Sequence, residues 1–498
     1  MKKLTTAEAA RHARARLVGP ADVVIDKVVI DARQATPGAL FVAIAGERVD
    51  GHDFAEQARA NGAVAVLGTR ETDADLAHLV VDDSVAGLSA LARGVVAEAI
   101  ADGLTTIAIT GSSGKTSTKD LLAQVLEAAA PTVSPVGSFN NEIGVPLTAC
   151  GVEDDTRFLV SEMGARGLGH IAWLCSVVPP RVGMVLNVGH AHLGEFGSAE
   201  GIAQAKGEIV EGLPAEGWAV LNADDHRVAA MVTRTAGRIA WFTRSAEPLP
   251  HESLPHESLP DESLPDDVRC DLVVRAVDVH ADALQRSRFT LEVVRNGATE
   301  RHEVSLRVLG DHQVSNAIAA AAAAIAAGVE PQIVAHALSA ATTRSHWRME
   351  LTERADGAAV LNDAYNANPD SMAAALHTLG GIAAARRAID PCARAIAVLG
   401  DMLELGDDAP ALHAELGRLA AEVGVDEVVA VGEYAEQIAG AARDAGIEAR
   451  ALPRREVSGS LALGPADVVL VKASRGLALE TVADELVAAT ADKSGAEA

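Results

Sequence analysis

Cysteine is scarce in this chain of 498 residues, and the four present, Cys150, Cys175, Cys270 and Cys392, include no CxxC pair. That argues against a disulfide framework and a thiolate zinc site, and leaves reduced thiols as the expectation. Long apolar runs are missing too. No stretch approaches the roughly 20 residues a membrane helix needs, the Ala-rich run Ala317 to Ala327 included. No basic start leads into an apolar leader core either. A soluble, cytoplasmic protein with no membrane insertion is expected. Positive charge is short as well: the formal net charge of −27 argues against a nucleic-acid footprint. Only eight residues are Lys against 34 Arg, so a lysine inside a motif is less easily dismissed as filler, and Lys115 and Lys206 are two of the eight.

What is present points to a large α/β protein. An apolar content of 49% supports a folded chain, and the length suggests about three domains. From residue 22 to 100, short apolar runs (VVIDAR, LFVAIAG, AVAVLG, HLVVDD) alternate with helical stretches. The pattern breaks near Asp102 and Gly103, then resumes with strands in RFLVSEMG, VGMVLNVGHAH and WAVLNADD. After a break near Ala341, AAVLNDAY, ARAIAVLGDM, DEVVAVG and ADVVLVKASRG read as buried strands of a further doubly wound unit. The expected domains are 1–103, 104–340 and 341–498. One stretch is foreign to this order: Leu249 to Asp267 repeats a five-residue ESLP-type unit, read as a surface-exposed, disordered insertion at about 248–267.

Thr110 to Thr118, TGSSGKTST, stands between the apolar strand TTIAI and the helical run KDLLAQVLEAAA. Small residues let backbone N–H groups of Gly111, Ser112, Ser113 and Gly114 turn toward phosphate, and the following helix N-terminus, with Ser117 in its first turn, favours an anion. Lys115 adds a point charge and Thr116 a hydroxyl for Mg²⁺. A full Walker pattern needs Gly at position 109, where this chain has Ile109, so the match is to a shortened G-x-x-G-K-T. The bland reading is a turn and helix cap; the strand, loop and helix in this order favour phosphate binding.

Ligands of such sheets gather at the carboxyl ends of strands. Glu162 ends one strand and His192 follows another, a pair suited to a hard divalent ion. Lys206 lies on a helix, where an ordinary surface lysine is the plain alternative. His312 and Asn316 open an Ala-rich helix and either contact a nucleoside or cap the helix, position alone favouring the cap. Arg348 in HWRME is of the type that neutralises a transferring phosphoryl group. Asp363, Tyr365, Asn366 and Asn368 cluster in LNDAYNANPDSM, and Gly400 to Gly406, GDMLELG, forms another strand-end loop.

The order of these motifs resembles the ATP-dependent Mur ligases along nearly the whole chain. TGSSGKTST, the NNEIGVP run, Glu162, the Asn187 to His192 spacing, the Lys206 segment, HQVSN and Arg348 carry the likeness. YNANPDSM, GDMLELG, AHLGEFGS and AKGEI point to the D-alanyl-D-alanine-adding branch. The resemblance implies a three-domain α/β architecture: an N-terminal domain for the UDP end of the substrate, a central P-loop ATPase with a parallel sheet, and a C-terminal Rossmann-like domain. It implies ATP-dependent addition of D-alanyl-D-alanine to UDP-N-acetylmuramoyl-tripeptide through an acyl phosphate, the last cytoplasmic step toward the pentapeptide precursor of peptidoglycan. Lys115, Arg348 and two Mg²⁺ ions would align the γ-phosphate. Thr116, Glu162, His192 and a carbamylated Lys206 would hold metal. Asn316 and Asp363 would hold nucleotide, Arg33 would help bind UDP, Asn140 and Asn141 would hold nucleotide or substrate, and Tyr365 and Asn366 would meet substrate. A monomer is expected.

Three positions depart from the family pattern: Ala32 stands where Ser is usual, Gln313 where Asn is usual, and Ala473 where Gly is common. Ala32 bears on the UDP contacts; none touches phosphoryl transfer. The alternative activity is that of another Mur-type ligase or a folylpolyglutamate-synthetase-like enzyme.

Overall fold

The computed structural model describes residues 1–189, 198–246, 249 and 270–489. His192, most of the AHLGEFGS run and the ESLP repeat beyond Leu249 lie outside them. Three α/β units follow one another along the chain, each built on its own sheet. The first has five strands, in spatial order Arg16–Val18, Ala77–Val80, Ala63–Gly68, Ala39–Val42 and Lys27–Val29, all parallel except the first.

The central sheet has nine strands. Its spatial order is Ala298–Leu309, Arg286–Arg295, Leu272–Ala281, Arg238–Thr243, Trp218–Asn222, Val182–Val185, Thr105–Thr110, Phe158–Glu162 and Thr132–Val133. Seven run parallel; the long Arg286–Arg295 and Ala298–Leu309 pair antiparallel at one side. The parallel strands are apolar on both faces because helices cover both. Ile107, Ile109, Met184 and Val220 enter one core, and Ala108, Val185, Leu221 and Leu159 the other, following the period of two. Ile109 pairs with Glu162 and Thr110 with Val185. That register delivers the phosphate loop, Glu162 and the segment after Val185 to the same edge.

The Ala-rich run is part of helix His312–Ala326, whose residues 317 to 324 are fully buried against helix Lys115–Glu127 and the central sheet. Alanine combines the best helix propensity with the smallest side chain that keeps one, which lets this helix lie close to its neighbours. Helix Ser84–Ala101 is long and apolar enough, by length and composition alone, for a membrane span, although Ser, Gly, Arg and Glu interrupt its apolar run. Half of it is buried, against helices Thr6–Ala13, Gly144–Ala149 and His170–Val177, as the core helix of a globular fold would be.

The last sheet orders Glu350–Glu353, Ala359–Asn362, Val468–Lys472, Ala395–Gly400, Glu427–Val431 and Glu448–Ala451, parallel after its first strand. No disulfide joins the four cysteines. Burial pushes the Cys150 and Cys175 thiols up to about 12, while Cys270 and Cys392 are exposed.

Candidate active site

The loop 111–114 leaves strand Thr105–Thr110 and ends at Gly114, whose φ of +78° starts helix Lys115–Glu127. A side chain there would be strained, and its Cβ would meet Asn316 Oδ1 at 2.6 Å. Asn187, from the neighbouring strand end, clamps the loop: its Oδ1 accepts from Ser112 N–H (2.9 Å) and Ser113 N–H (3.0 Å). Those two donors are thus taken, and the anion-facing donors are the unpaired first N–H groups of the helix, at Lys115, Thr116 and Ser117. Lys115 Nζ folds back to Gly111 O at 2.7 Å. Burial lowers its pKa, opposed by the Glu162 carboxylate and aided by Arg348.

Two cavities flank this loop. The first, about 250 Å³, is lined by Ser113, Gly114 and Ser117 together with Asn222, Phe242, His312, Asn316, Arg348, Asp363 and Lys472. The second, about 240 Å³, takes in Ser112, Lys115, Thr116, Asn140, Asn141, Glu162, Lys206, Arg348, Tyr365 and Asn366. Ser113, Gly114, Arg348 and Ser371 line both.

Arg348 comes from beyond the central unit. Its Nη2 donates to Thr116 Oγ1 at 3.3 Å, and its guanidinium lies 4.2 Å from the Tyr365 ring centroid. The backbone around it is strained: Trp347 and Met349 have φ of 58° and 51°, a region non-glycine residues rarely enter. What holds it is visible. Met349 N–H donates to Asp363 Oδ1 (3.0 Å), Tyr365 N–H to Trp347 O (3.2 Å), and the Arg475 guanidinium sits 4.2 Å over Trp347. Asp363 Oδ2 accepts from Lys472 Nζ at 2.6 Å, which also donates to Asn366 O at 2.9 Å. Burial lowers the Lys472 pKa despite that carboxylate. Tyr365 and Ser138 share a short hydroxyl contact that joins the last unit to the central one.

In the second cavity Asn140 Nδ2 donates to Glu162 Oε1 (2.9 Å), while the buried Glu162 Oε2 has no hydrogen-bond partner. An orphaned carboxylate oxygen in a buried site suits a cation. Lys206, on helix Ala199–Glu211, is 4% exposed, and burial followed by the nearby Lys115 charge pushes its pKa well below the usual lysine value. A buried amine held toward its neutral form is nucleophilic and can take up CO₂. Two residues on, Glu208 accepts from Gly169 N–H (2.6 Å) and Ala172 N–H (2.9 Å), capping helix His170–Val177 and pinning the Lys206 helix to it. Glu208→Ala is therefore expected to cost about 2 kcal/mol in urea unfolding. Glu208→Gln, which keeps one acceptor, costs less; equal stability of all three proteins would contradict the capping account.

His312 and Asn316 do not cap their helix. Its N-cap is Asp311, with no side-chain cap bond. Asn316 instead accepts from Thr118 Oγ1 (3.2 Å) and donates to Gln313 Oε1 (3.0 Å), and His312 is half-buried, with desolvation lowering its pKa. Asn141 Oδ1 accepts from Ile143 N–H (3.2 Å) and Gly144 N–H (2.9 Å), just before helix Gly144–Ala149, and its side chain lines the second cavity. Arg33 is not brought to either cavity; its side chain is 77% exposed and hydrogen-bonds Asp31, holding that carboxyl down at about 2. Among the described residues no three His, Cys, Asp or Glu side chains cluster as a metal site. Sequence reasoning passed over Lys472, Asn222, Phe242, Arg166, His170 and Glu404, all cavity-lining. For Lys472 the scarcity of lysine was the available signal.

Three family descriptions match the chain: "Mur ligase family, catalytic domain" over residues 24–124, "Mur ligase middle domain" over 109–324, and "Mur ligase, glutamate ligase domain" over 347–475. The UDP-N-acetylmuramoyl-tripeptide–D-alanyl-D-alanine ligase of Mycobacterium tuberculosis is 43% identical, over 93% of this chain and 92% of its own. Among solved structures, MurF from Acinetobacter baumannii is similar with a TM-score of 0.79 at 30% identity, covering 98% of this chain and 99% of the other. MurF from Thermotoga maritima in complex with ADP has a TM-score of 0.71 at 27% identity, covering 93% and 97%. Matched by these descriptions from residue 24 to residue 475, and by a relative 43% identical over 93% of its length, the chain belongs to the Mur ligase family.

Proposed function

We propose that this protein joins D-alanyl-D-alanine to UDP-N-acetylmuramoyl-tripeptide at the expense of ATP, in the cytoplasm, as a monomer, in peptidoglycan synthesis. The reading rests on one observation above others: Arg348 touches Thr116 of the phosphate loop and lines both cavities. A nucleotide in the first cavity and a carboxylate in the second would meet at that arginine.

ATP binds in the first cavity, its base and ribose against Phe242, His312, Asn316 and Asp363, and its phosphates over the Gly111–Ser117 stretch. The tripeptide's terminal carboxylate enters the second cavity, beside Asn140, Tyr365 and Asn366, with the UDP end toward Arg33. One carboxylate oxygen attacks the γ-phosphorus and ADP leaves. Lys115 and Arg348 carry the charge on the transferring oxygens, so the barrier falls by electrostatics and alignment rather than by covalent catalysis. The dipeptide amine then attacks the acyl carbon, the tetrahedral intermediate expels phosphate, and the nitrogen loses its proton as the amide forms. Mg²⁺, when bound, neutralises phosphate charge; Thr116, Glu162, His192 and a carbamylated Lys206 are its proposed ligands. Two features favour that fit: the unpartnered Glu162 Oε2, and a buried amine that becomes an anion on taking up CO₂.

Phosphate release by the purified protein tests the reading. It should require ATP, the UDP-linked tripeptide and D-alanyl-D-alanine together. Release dependent on a different amino acid, or on a folate, would overturn the substrate assignment.

A further inference from the structure

Of the basic residues lining the second cavity, phosphoryl transfer leaves one unused. Three are committed: Lys115 to the Gly111 carbonyl, Arg348 to Thr116 and the Tyr365 ring, and Lys206 to a buried position on its helix. Arg166 is different. It stands in the connection between strand Phe158–Glu162 and helix His170–Val177, with its side chain 65% exposed. Its ion pair, Nη1 to Glu142 Oε1, is 3.6 Å long, beyond hydrogen-bond range.

The backbone at Arg166 is fixed while its guanidinium is not. Arg166 N–H donates to His170 Nδ1 at 3.2 Å, which puts the ring proton on Nε2, 3.4 Å from Glu142 Oε2. Glu142 thus stands between an imidazole and a loosely held guanidinium. The guanidinium can exchange this long contact for a bidentate pair with another carboxylate at little cost. The co-substrate proposed above carries such a group: once its amine has turned toward the acyl carbon, its other end is a free carboxylate about two residues, or ~7 Å, away.

Resting on that ligase reading, we propose that Arg166 is a specificity-determining residue that binds the free carboxylate of the incoming dipeptide. Glu142 and His170 hold the Arg166 loop ready for it. A carboxylate of the UDP-linked peptide is the other source of the same chemistry, and the experiment separates the two.

Steady-state phosphate release is measured for the native protein, Arg166→Met and Arg166→Lys, with D-alanyl-D-alanine and with D-alanyl-D-alaninamide, which lacks the charge. The native protein should favour the acid over the amide in kcat/KM by about 10- to 100-fold, the range of a charge-assisted pair. Arg166→Met should raise the dipeptide KM by a similar factor, leave kcat within about twofold and leave the amide unaffected, so that discrimination collapses; Arg166→Lys should restore part of it. Equal losses with acid and amide would make the residue merely structural. A rise in the KM of the UDP-linked tripeptide instead would assign the carboxylate to that substrate, and an unchanged dipeptide KM would remove Arg166 from recognition; each overturns the proposal. Native protein that fails to use D-alanyl-D-alanine at all would overturn the parent reading instead.

Discussion

Arg348→Ala is expected to lower kcat for phosphate release by about 10³-fold, the lower end of what an arginine supplies to phosphoryl transfer. The structure gives this residue a costly setting. Left-handed backbone on both sides, at Trp347 and Met349, is kept in place by Asp363, Arg475 and the Tyr365 amide. Strain of this kind persists where a side chain must be aimed, and the aim here is Thr116, at the junction of the two cavities. Arg348→Lys should recover little, because a lysine neither spreads its charge over two phosphoryl oxygens nor stacks on Tyr365 as a planar group does. A fall in ATP affinity with kcat intact would mean that Arg348 serves ground-state binding only.

Lys206→Met should be nearly as damaging, with kcat down by about 10²- to 10³-fold, the loss that follows removal of a preorganised charged group. It should leave the fold intact. The folded-state pKa of Lys206 lies below its unfolded value, so between the two the unfolded chain holds a proton the folded chain lacks. Folding stability therefore rises with pH across that window, and below it the buried amine opposes folding. In CO₂-free buffer near neutrality Lys206→Met should accordingly unfold at the same or higher urea concentration than the native protein. Lower stability of the variant would mean that Lys206 is a packing residue. Under bicarbonate the native protein, but not the variant, should gain the mass of one CO₂.

Much of this site was legible because its residues sit at ends of buried parallel strands. Such strands read as unbroken apolar runs, so Thr110, Glu162 and Asp363 could be placed at strand ends from pattern alone. Strand Leu272–Ala281 and the antiparallel pair Arg286–Arg295 and Ala298–Leu309 carry no such signal; they interleave charged and apolar residues, as half-exposed strands do. Other features depend on contacts no local pattern encodes. Lys472 meets Asp363 across 109 positions, and Asn187 takes up two phosphate-loop N–H groups from 75 and 74 positions away. Position alone favours a cap at Asn316, because helix starts favour Asn; the hydrogen bonds to Thr118 and Gln313 override that preference. Arg166 lies in a glycine-flanked loop with no period to mark it.

The central claim is that the second cavity activates a carboxylate by phosphorylation. The direct measurement uses UDP-linked tripeptide with both oxygens of its terminal carboxylate replaced by ¹⁸O. Turnover with ATP and D-alanyl-D-alanine should move one labelled oxygen into the released phosphate, because the acyl phosphate breaks between the acyl carbon and that oxygen. Released phosphate free of ¹⁸O, alongside labelled amide product, would contradict the account.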